Sequence, residues 1–132
     1  MTISCTWCGP FSSDEVNALH ADAFEHSPAS DDWQALVERH SLGWVTARRD
    51  EVLIGFVNLP WDGALHAWIQ DLMVDAGSRR EGIGTRLVVV AREGARAAGC
   101  EWLHVDFDEG LRPFYQEACG FVPTAAGLIA LR

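Results

Sequence analysis

Residues 79–85 read Arg-Arg-Glu-Gly-Ile-Gly-Thr and open into a segment whose apolar residues recur at helical spacing. Glycine lets the backbone approach a ligand closely. The first N–H groups of a helix have no intrahelical acceptor, and the helix dipole favours an anion there. The stretch therefore predicts a phosphate-binding loop at a helix N-terminus.

The cysteines are the other residues whose spacing could indicate a functional site, namely a metal site. Cys5 and Cys8 have the spacing of half a zinc site, but the sequence holds no second close pair and no matching histidine pair. Four cysteines in a chain of this size do not predict a disulfide framework in the cytosol. We therefore expect no metal site.

The elements that must position the loop follow from the apolar periodicity. A strand is predicted at residues 3–7, and a helix follows it with Ser12 and Glu15 as a capping box. A second helix is predicted from a cap at Asp31 to a stop at Gly43.

From residue 44 the period changes to that of strands, predicted at residues 45–48, 52–59 and 64–74. The breaks between them are of hairpin length, so these strands should run antiparallel. The loop and its helix come next, and Gly99 ends that helix. A strand at residues 102–107 then pairs in parallel with residues 64–74 through a right-handed crossover.

The chain ends with a predicted short helix at residues 111–118 and one or two strands within residues 121–131. The expected fold class is α/β (α+β). It has a mixed, mostly antiparallel sheet of six to seven strands, a parallel pair at strands 4 and 5, and about four helices on both faces. A chain of 132 residues with 48% hydrophobic content is expected to form a single domain over residues 1–132.

The composition narrows the classes of partner. All ten basic residues are arginine, and against 19 acidic residues they leave a net charge of −9. Such a chain is not expected to bind nucleic acid, whose phosphates attract basic surfaces. The charge is compatible with a cationic substrate or simply with solubility. The sequence shows neither a signal peptide nor a membrane-spanning apolar run, so a cytoplasmic protein without membrane contact is expected.

A dinucleotide-binding loop is the rival interpretation of the glycine stretch. That motif needs a third glycine at the position of Leu87, within an early strand–helix–strand unit. Here the loop follows strands that look like hairpins. The rival is therefore disfavoured.

Three segments together resemble the GNAT superfamily of N-acetyltransferases. Arg79, Gly82 and Gly84 match the family's loop signature, and residues 71–74 ahead of them look like its fourth strand. Residues 113–121 look like the segment that follows its fifth strand. The resemblance covers residues 44–132 well and the N-terminal helices in outline.

The resemblance implies that the phosphate belongs to acetyl-CoA, which serves as co-substrate. Its pyrophosphate would lie on the loop, and its pantetheine arm would pair with strand 4, as peptide-like ligands can. A thioester carbonyl bound by a strand N–H would be polarised for attack. The implied cofactor-binding residues are Leu72, Met73, Val74, Arg79, Arg80, Glu81, Gly82, Ile83, Gly84, Thr85 and Asp108. At Asp108 many relatives carry an asparagine, so this contact departs from the family pattern.

Tyr115, the only tyrosine, matches the family tyrosine that donates a proton to the departing thiolate of coenzyme A. The alternative is a half-buried helix residue beside Phe114. The base is less defined, because relatives use a glutamate on strand 4 and the nearest match is Asp71. A water chain without a single base stays open, as do His66, His104, Asp106 and Asp108.

The acceptor side is expected to involve Trp33 and Trp61, because the segments that carry them flank the acceptor in the family. With Asp31, Asp32 and Asp62 nearby, they predict an aromatic and acidic pocket for a small cationic amine. The expected activity is direct transfer of an acetyl group to a primary amine of a small molecule or peptide, in a ternary complex. The alternative is a catalytically idle acyl-CoA sensor or interaction module. The short last strands leave an edge that can pair with a second subunit, so a homodimer stays open.

Overall fold

A single sheet of five strands, in the order β1-β2-β3-β4-β5, organises the computed structural model, which describes residues 2–132. Neighbouring strands from β1 to β4 run antiparallel, and β5 runs parallel to β4. The parallel pair predicted from the crossover is thus confirmed. The strands are β1 (Ile3–Trp7), β2 (Ser41–Arg49), β3 (Val52–Pro60), β4 (His66–Val74) and β5 (Trp102–Val105).

The helices begin where the sequence supplies caps. The Ser12 side chain accepts from the N–H of Glu15, and the Glu15 carboxylate accepts from the N–H of Ser12, so the predicted capping box is confirmed. The next helix is capped by Asp32 and not by Asp31. The helices are α1 (Ser13–Phe24), α2 (Trp33–His40), α3 (Ile83–Ala97) and a π-helix (Pro113–Ala118), with 3₁₀ turns at Ala76–Ser78 and Glu109–Leu111.

Gly43 does not stop α2, which ends at His40, but lies buried within β2. A side chain at this position would collide with the indole ring of Trp7. The glycine is therefore explained by close packing between strands, a requirement that periodicity along the chain does not reveal.

The sheet separates two apolar clusters. On one face α3 packs Leu87 and Ala91 against β2 and β3. On the other face α1 and α2 pack Val16 and Val37 against Phe56. The sheet is thus covered on both faces, as the sequence predicts, and β3 is buried along seven of its nine residues because it contributes to both clusters.

The prediction of six to seven strands is wrong, since the sheet has five. Residues 121–132 adopt no regular structure and add no strand beside β5. Pro123 lacks the N–H that a ladder needs. The apolar side chains of this segment stay in solvent, where Val122, Leu128, Ile129 and Leu131 are between 83% and 92% exposed.

Candidate active site

β4 carries a bulge at its centre. Two of its residues, Asp71 and Leu72, lie opposite the single residue Val57 of β3, because the register shifts between the flanking pairs. Asp71 takes a left-handed backbone conformation with φ of 55°. Bulges of this kind bend a strand and redirect its side chains. The bulge therefore bends β4, so that its last residues diverge from the direction of its first half.

Beyond the bulge, β4 is paired on one side only. β5 pairs with β4 from His66 to Ile69, and residues 70–74 have no partner on that side among the described strands. The N–H of Asp75 donates to the carbonyl of Ile54 in β3 at 2.8 Å. Since successive peptide groups of a strand point in opposite directions, the N–H of Val74 faces the gap. The gap thus presents a backbone edge to a ligand.

The loop after β4 is tied to the end of α1 by two hydrogen bonds. A guanidinium N–H of Arg79 donates to the carbonyl of Ala23 at 2.7 Å, and the Asp22 carboxylate accepts from the N–H of Ala76 at 2.8 Å. The Ala76 bond also holds the pKa of Asp22 below its usual range. These bonds fix the loop against α1.

The two charged residues that follow Arg79 point in different directions. Glu81 forms an ion pair with Arg49 at 3.0 Å, which draws its side chain toward β2. Arg80 is exposed with φ of 65°, and its side chain makes no hydrogen bond or ion pair within residues 2–132. Of the two, Arg80 has a charge available for an anion.

The N-terminus of α3 completes the loop. Gly82 caps the helix in the left-handed region, with φ of 76°. The first helical bond runs from the N–H of Arg86 to the carbonyl of Gly82, so the N–H groups of residues 83–85 have no intrahelical acceptor. At Gly84 a Cβ would lie 3.1 Å from the ring of Phe114, so glycine lets the π-helix approach α3 closely.

A cavity of about 580 Å³ joins these features. It runs beside the unpaired end of β4, past the loop and the start of α3, to the π-helix. Its lining includes every residue predicted to bind cofactor except Glu81 and Asp108. The lining residues are Ala23, Phe24, Leu72, Met73, Val74, Ser78, Arg79, Arg80, Gly82, Ile83, Gly84, Thr85, Leu111, Phe114 and Tyr115.

Five lining residues were not predicted as site residues, and three of them, Ala23, Phe24 and Leu111, are apolar residues outside the segments that carry the family resemblance or the loop. Phe24, the last residue of α1, is 49% exposed and lines the cavity. Leu111, in the turn before the π-helix, is 47% exposed, and Ala23 lies beside Phe24. Their signal is an apolar residue at the end of its element, which periodicity cannot distinguish from a core position.

Tyr115 lies between aromatic rings at the cavity wall. Its ring stacks on Phe107 with centroids 4.9 Å apart and meets Phe114 and Phe121 edge to face. The residue is only 6% exposed, and this burial raises the pKa of its hydroxyl to about 12. The hydroxyl is therefore a proton donor throughout the neutral range.

Asp71 also has a pKa that is shifted upward. Its burial raises the pKa of the carboxyl above the ordinary value, and the charge of protonated His20 partly counteracts that rise. A carboxylate with a raised pKa is a stronger base than an exposed one. Asp71 does not itself line the cavity, but it lies in the bulge directly before Leu72, which does.

The remaining predicted residues lie away from the cavity. Trp33 is 7% exposed, donates to the Asn17 side chain at 3.0 Å and packs in the α1–α2 cluster, so its indole serves the core. Trp61 is half-buried in the β3–β4 turn, and Asp108 is exposed at the start of a 3₁₀ turn.

The carboxylates of the predicted acidic pocket have local partners. Asp32 caps α2, and Asp62 accepts the N–H groups of Ala64 and His66. The other candidate base His66 is bonded to His104, with 2.7 Å between ring nitrogens. Within residues 2–132 no group of three or more metal-ligating side chains is assembled, and no helix has the length and hydropathy to cross a membrane.

The chain is similar to proteins of one known family. The model of the acetyltransferase (GNAT) family matches residues 10–121. A probable acetyltransferase of unknown function from meticillin-resistant Staphylococcus aureus superposes with a TM-score of 0.79, at 20% identity over 99% of both chains. No curated protein matches the chain.

Two further solved structures are similar. A putative acetyltransferase from Deinococcus radiodurans R1 has 27% identity and a TM-score of 0.69, over 98% of this chain and 88% of that one. An aminoglycoside acetyltransferase from an uncultured soil metagenomic sample, solved in complex with sisomicin, has 20% identity and a TM-score of 0.71, over 97% of this chain and 92% of that one.

Proposed function

The chain belongs to the acetyltransferase (GNAT) family, and we propose that it transfers an acetyl group from acetyl-CoA to a primary amine by direct attack in a ternary complex. The proposal treats residues 1–132 as one acetyltransferase domain. The single observation that carries it is the cavity that joins the unpaired edge of β4, the α3 N-terminus and Tyr115.

The residues along the cavity fit the successive parts of acetyl-CoA, from its pyrophosphate to its pantetheine arm. The free N–H groups of residues 83–85 and the unpaired Arg80 supply donors for a pyrophosphate. The backbone of Val74 faces the gap and can pair with an amide of a pantetheine arm. The apolar side chains of Phe24, Leu72 and Leu111 can cover its methylene groups.

Acetyl-CoA supplies a thioester whose sulfur leaves as a thiolate. Tyr115 interacts with the negative charge that develops on that sulfur. Complete proton transfer from a phenol of pKa about 12 to a thiolate whose acid has a pKa near ~8.5 would be uphill by roughly 5 kcal/mol. Tyr115 therefore acts by donating a hydrogen bond to the developing charge. Solvent completes the protonation of the thiol.

Asp71 accepts the proton of the attacking amine. An amine is a nucleophile only when neutral, and most primary amines are protonated at neutral pH. The half-buried carboxylate gains basicity from its surroundings, as its raised pKa indicates. The left-handed backbone of the bulge fixes where this carboxylate lies.

The acceptor is proposed to be the amine of a small molecule, with Trp61 at the acceptor side. The net charge of −9 favours the approach of a cation. The similarity in fold to an aminoglycoside acetyltransferase solved in complex with sisomicin supports a small-molecule acceptor. A peptide amine is the other acceptor class, and we propose that the reaction takes place in the cytoplasm.

Acetyl-CoA is expected to raise the melting temperature of the protein. A ligand that binds only the folded state stabilises it by about 2.7 kcal/mol at a concentration one hundred times its dissociation constant. Differential scanning fluorimetry with acetyl-CoA at ~1 mM, a weak limit for such sites, is the measurement. Free acetate at equal concentration is the control. An unchanged melting temperature would count against the cofactor site.

Replacement of Gly82 by alanine is expected to weaken acetyl-CoA binding roughly tenfold or more. An alanine in the left-handed region costs about 1–2 kcal/mol, and its relief would turn the free N–H groups of α3 away from the anion. Calorimetric titration with acetyl-CoA measures the loss.

Gly63→Ala is the matched control, because Gly63 also has a left-handed φ, 81°, and open space around its Cβ position, but lies in the β3–β4 turn. Both variants should melt at lower temperature than the wild type. If both bind acetyl-CoA equally well, the loop is not the anion site.

A further inference from the structure

The face of the β4–β5 pair that points away from α3 carries four ring side chains. Ile69 of β4 and Val105 of β5 pack in the cluster under α3, so the residues that alternate with them lie on the opposite face of the sheet. The parallel register sets these residues side by side in two rows, His66 beside Trp102 and Trp68 beside His104. We call these four residues the aromatic strip.

Direct contacts order the aromatic strip. The indole of Trp68 stacks on the imidazole of His104, with centroids 4.7 Å apart and planes at 16°. Nδ1 of His66 lies 2.7 Å from Nε2 of His104, and a hydrogen bond between two ring nitrogens requires that at least one ring be neutral. The ring of His104 is thus held from two sides before any ligand binds, which reduces the entropy lost on binding.

Core packing does not account for the two tryptophans of the strip. α1 contacts β3 and β4 and α2 contacts β2 and β3, and neither Trp68 nor Trp102 belongs to the cluster on either face of the sheet. Trp68 is half-buried, and Trp102 is 63% exposed. Single exposed apolar residues are common, whereas a continuous row of exposed rings marks a binding surface.

The aromatic strip leads to the gap beside β4. The pairing of β4 with β5 ends at Ile69 and Val105, so the gap opens one residue beyond the Trp68 row. Gln70 and Asp106 are the next residues on the face of the strip, and both are exposed. At a rise of about 3.3 Å per residue, they lie roughly 7 Å along the strands from the Trp68 row. The strip therefore ends where we place the attack on the thioester.

The gap end of the strip is negatively charged. Asp106 is exposed and Asp71 half-buried, and neither side chain makes an ion pair or hydrogen bond within residues 2–132. The chain contains no lysine, and neither β4 nor β5 contains an arginine. An ammonium group at the gap would therefore meet two carboxylates without a partner, while the strip offers ring faces on which a planar ring can stack.

We propose that the aromatic strip binds the acceptor, and that the acceptor is a primary amine joined to an aromatic ring by a short linker. This inference rests on the proposed acetyl transfer and names its substrate class. The ring of the acceptor stacks on Trp68, next to Trp102, and its ammonium group lies between Asp106 and Asp71. The chemical step is that of the proposed function.

Binding can be tested without turnover. 2-Phenylethylamine and 2-cyclohexylethylamine have the same charge and the same linker, and only the first has an aromatic ring. With coenzyme A bound, which carries no acetyl group, 2-phenylethylamine at up to ~1 mM should shift the imidazole signals of His66 and His104 in ¹³C–¹H spectra. 2-Cyclohexylethylamine should shift them much less, and the signal of His40, at the end of α2, should stay in place.

Turnover tests the choice between the two amines. With saturating acetyl-CoA, kcat/KM for 2-phenylethylamine should exceed that for 2-cyclohexylethylamine about 2- to 10-fold, the range that one aromatic pair contributes. Trp68→Leu and Trp102→Ala should each bring this ratio toward one, by raising KM for 2-phenylethylamine with little change in kcat. Val52→Ala is the matched control, because Val52 is 64% exposed at the start of β3, and it should keep the wild-type ratio.

The outcomes separate the two proposals. A wild-type ratio near one, a ratio that both tryptophan variants keep, or unshifted signals of His66 and His104 overturns the acceptor site and leaves acetyl transfer standing. If Trp68→Leu does not fold, the exposed position of Trp102 still permits the test.

A second copy of the chain is the other occupant that the strip could have. A wild type that sediments as a dimer, together with a Trp102→Ala variant that sediments as a monomer, would show that a second copy covers the strip and would overturn the proposal. An absence of turnover with every amine overturns the proposed function, and the spectra with coenzyme A then still decide whether the strip binds the ring.

Discussion

Tyr115→Phe is expected to lower kcat about 10- to 1,000-fold while acetyl-CoA binds almost as before. The substitution removes only the hydroxyl, whose hydrogen bond we assign to the departing thiolate. The ring keeps its stack on Phe107 and its contacts with Phe114 and Phe121, so the cavity wall keeps its shape. Initial rates of thiol release at saturating acetyl-CoA measure the effect.

Two controls accompany this variant. Its melting temperature should equal that of the wild type within a few degrees, and calorimetry should give nearly the same affinity for acetyl-CoA. Because the pKa of Tyr115 is about 12, the hydroxyl stays protonated below that value, and the wild-type rate should show no alkaline decline from this group at lower pH. A Phe variant with the wild-type kcat would show that the hydroxyl takes no part in catalysis.

Asp71→Asn is expected to lower kcat/KM for the amine about 100-fold or more, as the loss of a general base does. Asparagine suits this test because it has nearly the same shape as aspartate and tolerates the left-handed φ that the bulge imposes. Alanine would combine the loss of the base with backbone strain. A pH–rate profile of both proteins is the measurement.

Asp71→Asn is also expected to change the thermal stability of the protein in a definite direction. Burial raises the folded-state pKa of Asp71, so its stability contribution is fully present at low pH and is lost as pH rises through that pKa. At neutral pH the ionised carboxylate therefore lowers the free energy of unfolding. Asp71→Asn should melt at or above the wild-type temperature. A variant that is both less stable and equally active would contradict the assignment of Asp71 as a buried base.

Features that depend on local sequence were predictable. The capping box at Ser12 follows from two side chains three residues apart, and Gly99 has the left-handed φ, 92°, that a helix end requires. The free N–H groups at the start of α3 could also be predicted, since they follow from helix geometry. The resemblance to the acetyltransferase family is confirmed by the family model, which matches residues 10–121 and so includes the N-terminal helices.

Features that depend on pairing across the fold were not predictable from one chain. The bulge at Asp71 is defined by a register shift against β3, and no residue type in β4 predicts that shift. The ring-to-ring contact of His20 with His26 needs the left-handed turn at Glu25, an uncommon conformation for that residue. Trp33 was assigned to the acceptor side because the segment that carries it flanks the acceptor in the family, whereas its side chain packs against Phe56 in the core.

The most direct test of the account is an amine panel in which thiol release from acetyl-CoA is followed continuously and the products are identified by mass spectrometry. We expect amine-dependent release of coenzyme A with one acetyl group added to a primary amine, and much slower release by Tyr115→Phe. Tight binding of acetyl-CoA with no acetylated product from any amine would contradict it and would identify an acyl-CoA-binding module.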